Sequence, residues 1–103
     1  MAIQQRASGE MTLEFDWKDA KAAENDAKHG VSFEIAKKVF NDPSAIERLD
    51  DREDYGEERF ILIGMADGVV LSVVYTERNN RLWLISARRA TKQEQDDYFT
   101  RNA

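Results

Sequence analysis

Residues 73–94 read VVYTERNNRLWLISARRATKQE, and this stretch decides the architecture. An apolar run ends at Thr76, the pair Asn79-Asn80 follows, and Arg81 to Arg88 resumes a strand pattern. Asn-Asn tolerates the left-handed backbone that two-residue hairpin turns demand, so the stretch predicts two antiparallel strands. Thr91 with Glu94 three residues later is a capping-box pattern and predicts a closing helix to about Arg101. The same stretch is unusual in charge. Between Arg78 and Gln93 lie five basic side chains (Arg78, Arg81, Arg88, Arg89, Lys92) and no acidic one, in a chain whose formal net charge is -5.

Working outward, Asp67-Gly68 marks a second tight hairpin and predicts strands over Arg59 to Met65 and Val69 to Glu77. Val69 to Thr76 is apolar on both faces, which requires cover on both sides of the sheet. Ser44 to Leu49 predicts a further strand anchored by Ile46 and Leu49, and Asp50 to Glu57 a charged loop. Upstream, Leu13, Phe15 and Trp17 alternate as a short strand or extended entry. Asp16 is positioned to cap a helix over Lys18 to His29, which Gly30 ends in the left-handed conformation. Ser32 restarts a helix from Phe33 to Phe40 with Phe33, Ala36, Val39 and Phe40 on one face, and Asn41-Asp42-Pro43 stops it. The expected fold is α+β: two N-terminal helices, a four-stranded mainly antiparallel sheet, and a C-terminal helix.

The 103 residues suit one domain, read as residues 11–103 behind a flexible leader at 1–10. Cysteine is absent, which excludes disulfides and thiolate metal sites. No apolar run is long enough to span a membrane, and the first residues lack a signal-peptide core, so the expected setting is the cytoplasm. Residues 1–57 carry a balance of -6 and residues 58–103 a balance of +1. That asymmetry argues against broad non-specific nucleic-acid binding, permits a focused phosphate site, and leaves an acidic half for a basic partner. No P-loop, dinucleotide glycine fingerprint or nucleophile elbow is present.

Two-residue turns set Arg78 opposite Arg81, Thr76 opposite Trp83, Ile61 opposite Val74 and Val73 opposite Ser86. On that register Arg59, Thr76 and Arg81 share one face, and Ser86 and Arg88 the other. Arginines at strand ends keep an edge soluble; held rigidly, they also grip phosphate through two nitrogens. His29, the sole histidine, and Lys28 suit a helix C-terminus by charge alone, and equally suit proton transfer or charge neutralisation. Glu57, Glu58 and Glu77 adjoin arginines; ion pairing is one reading, a general base near a held phosphate the other. Asp50, Asp51, Glu53 and Asp54 read as a solvated loop, and no metal is expected. Trp17, Trp83 and Tyr75 read as core or half-buried, with base stacking open to Trp83 or Tyr75.

Three segments in this order, Lys28-His29-Gly30-Val31-Ser32-Phe33, Glu58-Arg59 and Ser86-Ala87-Arg88-Arg89-Ala90, resemble the BrnT toxin family across about Phe15 to Tyr98. The resemblance implies a toxin of a type II toxin–antitoxin system with a fold similar to RelE-type ribonucleases. It implies RNA cleavage without a metal or other cofactor, through attack of the 2′-hydroxyl on the adjacent phosphorus. It also implies neutralisation by a BrnA-like ribbon-helix-helix antitoxin, with DNA engaged only through that antitoxin. On this reading Arg78 and Arg88 stabilise the phosphorane, Arg59 and Lys28 support them, and Glu58 or His29 moves the proton. Arg81, Arg89 and Lys92 join Arg59 in holding RNA. The alternative is an inactive BrnT-like subunit acting with its antitoxin in transcriptional autorepression, a reading favoured by the acidic net charge.

Overall fold

The computed structural model describes residues 13–102. The chain runs β1 (Phe15–Asp16), α1 (Asp19–His29), α2 (Phe33–Ala36) continuing as a 3-10 turn (Lys37–Asn41), β2 (Ile46–Asp50), β3 (Arg59–Ala66), β4 (Val69–Arg78), β5 (Arg81–Arg89) and α3 (Lys92–Arg101). The expected leader at 1–10 lies outside the described residues.

The expected α+β arrangement of three helices holds, but the sheet has five strands in the order β1-β5-β4-β3-β2. The correction is β1: expected as a short strand or extended entry outside the four-stranded sheet, it is a strand and joins the sheet as a fifth member. It pairs parallel with β5 at Phe15–Leu82 and Asp16–Trp83, making the sheet mixed. Two residues of alternation carry too little pattern to say which edge they join.

Both hairpin turns form as their residues dictate. Asp67 and Gly68 take φ of 49° and 80°, and Asn79 and Asn80 take 52° and 63°. The predicted pairs Arg78–Arg81, Thr76–Trp83 and Ile61–Val74 are present. Beyond Tyr75 the register changes: Tyr75 faces Leu84, but Val74 faces Ser86 and Val73 faces Ala87. Ile85 is therefore an extra residue in β5, a β-bulge. The bulge overturns the expected Val73–Ser86 pair and moves Ser86 and Arg88 onto the face that carries Arg59, Thr76 and Arg81.

One face of the sheet (Leu62, Leu71, Val73, Tyr75, Leu82, Leu84, Ala87) packs under the N-terminal helices, whose Phe33, Ala36, Val39 and Phe40 are buried as the periodicity required. Phe40 stands edge-on to both Phe15 and Tyr75 at 5.0 Å. A Cβ at Gly64 would lie 2.9 Å from Val39 Cγ1 and from Ala45 Cβ, so only glycine lets this layer close. The second face (Ile61, Ile63, Val70, Val74) receives Tyr98 of α3. Asp42 ties the layers together, accepting from the Met65 amide at 2.8 Å and the Tyr98 hydroxyl at 2.6 Å. Burial pushes the Asp42 carboxyl up, but these bonds outweigh it and hold it below the usual range.

Caps follow local chemistry with one exception. Gly30 is left-handed and its N–H donates to Asp26 O at 2.8 Å. Ser32 Oγ accepts from Ile35 N, and Thr91 and Glu94 form the capping box. Asp16, by contrast, does not cap α1. Its carboxylate accepts from the adjacent Trp17 amide, and Lys18 occupies the cap position without a side-chain bond. Leu49, expected to anchor β2, is 51% exposed, and the buried residue beside it is Asp50.

Candidate phosphate groove

Lys18 at the N-cap and Lys21, Asn25 and Lys28 in α1 recur at spacings of three, four and three, which places the three helical residues on one stripe that starts beside Lys18. Asn25 docks that stripe on the sheet. β1 ends opposite Trp83, which leaves the rest of the β5 edge without a strand partner. The buried Asn25 amide fills part of that gap: Nδ2 donates to Ala87 O (2.8 Å) and Val31 O (3.0 Å), while Oδ1 accepts from Ala87 N (3.0 Å). A side-chain amide offers the donor and acceptor that a strand would have offered.

Two adjoining grooves open where the stripe meets β5. The larger, about 200 Å³, is lined by Lys18, Lys21, Arg59, Arg78, Trp83, Leu84 and Ile85. The smaller, about 90 Å³, is lined by Lys21, Glu24, Asn25, Lys28, His29, Ile85 and Ser86. Lys21 and the bulged Ile85 belong to both.

Arg59 and Arg78 are held firmly. Glu57 accepts from Arg78 Nε at 3.1 Å and Nη2 at 2.9 Å, and from Arg59 Nε at 3.3 Å. The Arg59 guanidinium also stacks on Tyr55, 4.1 Å from the ring centroid, and Arg78 lies 5.2 Å from that of Trp83. Tyr55 is fixed in turn by Asp50, which binds Arg52 through both oxygens and accepts from the Tyr55 hydroxyl. The hydrogen bond from Arg78 lowers the Glu57 pKa; burial opposes it and Arg59 adds to it. Glu57 is therefore ionised and committed to the arginines. The Trp83 Nε1–H is buried with no acceptor among the described residues. Lys18, Lys21 and Lys28 likewise have no ion-pair partner there.

Of the residues singled out from sequence, Arg78, Arg59, Lys28 and His29 gather along this pair of grooves. Arg88 does not. It grips Glu94 through two nitrogens at 2.8 and 3.1 Å, beneath the first turn of α3. Glu58 has an exposed side chain, and its carbonyl accepts from the Thr76 hydroxyl at 2.6 Å. Arg81 lies 3.8 Å from Glu14, Arg89 is exposed at the far end of β5, and Lys92 pairs with Asp96 within α3. Among the described residues no three acidic or histidine side chains converge as metal ligands, and Asp50 is taken by Arg52 and Tyr55.

Lys18 and Lys21 are neighbours of the site that the sequence did not single out, whereas Glu57 makes the expected ion pairs with Arg59 and Arg78, and Trp83 is half-buried as expected. The α1 stripe was the available signal for the lysines. Alternation along an extended chain is the signal that Glu57, two residues before Arg59, and not Glu58, shares the arginine face.

No helix is long and apolar enough to cross a membrane, among the described residues. No curated protein matches the chain. The model of a family described as ribonuclease toxin, BrnT, of type II toxin-antitoxin system matches residues 17–94, from just ahead of α1 to the capping box of α3. With three quarters of its length covered, groove included, the chain belongs to the BrnT family of type II toxin–antitoxin ribonuclease toxins.

Proposed function

We propose that this chain is a metal-independent endoribonuclease whose scissile phosphate sits in the groove of Lys18, Lys21, Arg59 and Arg78. The observation that carries the reading is the convergence of these four cations on one groove of an acidic protein.

The chemistry follows from that placement. The RNA 2′-oxygen attacks the adjacent phosphorus as its proton passes to a base. The bond from phosphorus to the 5′-oxygen breaks, and that oxygen takes up a proton. The products are a 2′,3′-cyclic phosphate and a 5′-hydroxyl. Arg59 and Arg78, prefixed on the β3 and β4 strands, meet the charge that develops on the non-bridging oxygens. Lys18 and Lys21 complete the cationic wall. His29, the chain's one imidazole, lies with Lys28 and Ser86 in the adjoining groove and is assigned the proton transfers. Glu57, ionised and occupied, is a poor base. Arg88 is assigned to holding α3 on the sheet.

A toxin of this class acts with an antitoxin, and a basic ribbon-helix-helix partner related to BrnA suits the acidic N-terminal half. The site of action is assigned to the cytoplasm. The second reading, an inactive subunit of a repressor complex, draws on the net charge of -5.

Antitoxin-free protein incubated with RNA in EDTA should produce fragments ending in 2′,3′-cyclic phosphate and leave DNA of the same sequence intact, because DNA lacks the nucleophile. Intact RNA at high concentration of folded protein would overturn the enzyme reading in favour of the interaction subunit.

A further inference from the structure

Among the described residues Glu57 is the one acidic side chain that touches both groove arginines, and two opposite roles are open to a carboxylate so placed. It could occupy the phosphate position as a plug, or stand behind the arginines and aim them. The geometry separates the two. Arg59 and Arg78 both line the groove, whereas Glu57 does not. Glu57 takes Nε of Arg59, and Nε with Nη2 of Arg78, so Nη1 of Arg78 and both terminal nitrogens of Arg59 are left for a ligand. Its own side chain is 24% exposed, less than the 41% of Arg78 and level with the 25% of Arg59, so it is covered more than the one guanidinium and as much as the other.

From this arrangement we infer that Glu57 is a positioning residue of the cleavage site, fixing the planes of Arg59 and Arg78 so that their outer nitrogens converge on one phosphate. The inference rests on the groove being the phosphate site. Each guanidinium has a second brace, the Tyr55 ring for Arg59 and the Trp83 ring for Arg78, and these cannot set rotation within the ring plane. The shared carboxylate can, because its two oxygens fix donor directions. Correct aim matters most where charge develops in the transition state, and small misplacements of such groups are costly.

A positioning carboxylate carries a signature that neither a plug nor a fold residue shares, and the ionised, arginine-bound state of Glu57 sets the general-base role aside. Removing its charge makes the groove more positive, which favours RNA binding, and at the same time loosens the arginines, which slows the chemistry. Glu57→Gln should therefore bind a fully 2′-O-methylated RNA, which cannot be cleaved, at least as tightly as the native chain. Its single-turnover cleavage of unmodified RNA should be about 10-fold or more slower. Glu57→Asp keeps the charge but is shorter, so it should bind as the native chain does and again cleave more slowly.

Faster cleavage together with tighter binding in Glu57→Gln would overturn the inference in favour of a plug. Native cleavage rates in both variants would overturn it as well. Parallel loss of binding, cleavage and thermal stability in both would make Glu57 a fold residue and overturn it too. A native chain that binds RNA without cleaving it would instead overturn the enzyme reading itself.

Discussion

Arg78 and Arg88 sit on the same face of the same sheet, and each grips a carboxylate through two nitrogens. Their surroundings make them different groups. Glu94, the partner of Arg88, has a side chain only 9% exposed and also accepts from the Thr91 amide, so the pair is spent on seating α3. Arg78 leans over Trp83 at the mouth of a groove shared with Lys18, Lys21 and Arg59, and its outer edge is open. A bidentate arginine is thus a structural brace or a ligand-binding group according to what covers it. Strand position and residue type, alike for both, do not decide.

The largest effect expected on this comparison comes from Asn25, which holds the lysine wall of the groove against β5. Asn25→Ala removes a buried amide from three backbone groups and should cost about 3 kcal/mol in urea unfolding, from roughly 1 kcal/mol for each bond lost. Loss of less than about 1 kcal/mol would mean that α1 is seated by its apolar contacts alone. Next is Arg88→Ala, which strips a buried carboxylate of its main partner. Arg88 is 37% exposed and Arg48 lies 3.6 Å from Glu94 as a substitute, so the cost should be about 1–2 kcal/mol and not the full value for a buried pair.

Acid should act on the structural carboxylates in a defined window. Burial pushes Glu94 up, but Arg88 and Thr91 outweigh it and leave the pKa below the ordinary 4.5. The Arg52 hydrogen bond, against burial, holds Asp50 at about 2. Both pKa values are depressed by folding, so their stabilisation is complete above about 4.5 and disappears as pH falls towards 2. Denaturation midpoints followed over that range should decline in the native chain and decline less steeply in Asp50→Asn. Equal slopes would show that the Asp50–Arg52 pair contributes nothing. The smallest effect belongs to the open wall: Lys18→Ala and Lys21→Ala should each weaken RNA binding a few-fold. Each should also lower the salt slope by about 0.7, the value for one phosphate contact on a single strand.

Turns, every cap except that of Asp16, and the buried faces of the helices were legible because each rests on local chemistry: Asp67-Gly68, Asn79-Asn80, Gly30, and Thr91 with Glu94. Ile85 was not. A bulge is a matter of pairing between strands, and one extra residue reverses every side chain beyond it, which carried Arg88 to the face that also bears Arg59. In hindsight the adjacent apolar residues Leu84 and Ile85 break the alternation at that point. The candidate site was legible in part, since Arg78, Arg59, Lys28 and His29 stand along the grooves. Lys18 and Lys21 were missed because their place at the groove depends on how α1 docks against β5, residues distant in sequence.

The account turns on the difference between its two arginines, and one measurement addresses it directly: single-turnover RNA cleavage in EDTA by Arg78→Ala and Arg88→Ala side by side, at a temperature where both are folded. Arg78→Ala should lose about 100-fold or more, the cost of removing one donor to a developing anionic charge, and Arg88→Ala should retain nearly the native rate. A loss in Arg88→Ala equal to or greater than that in Arg78→Ala would contradict the account.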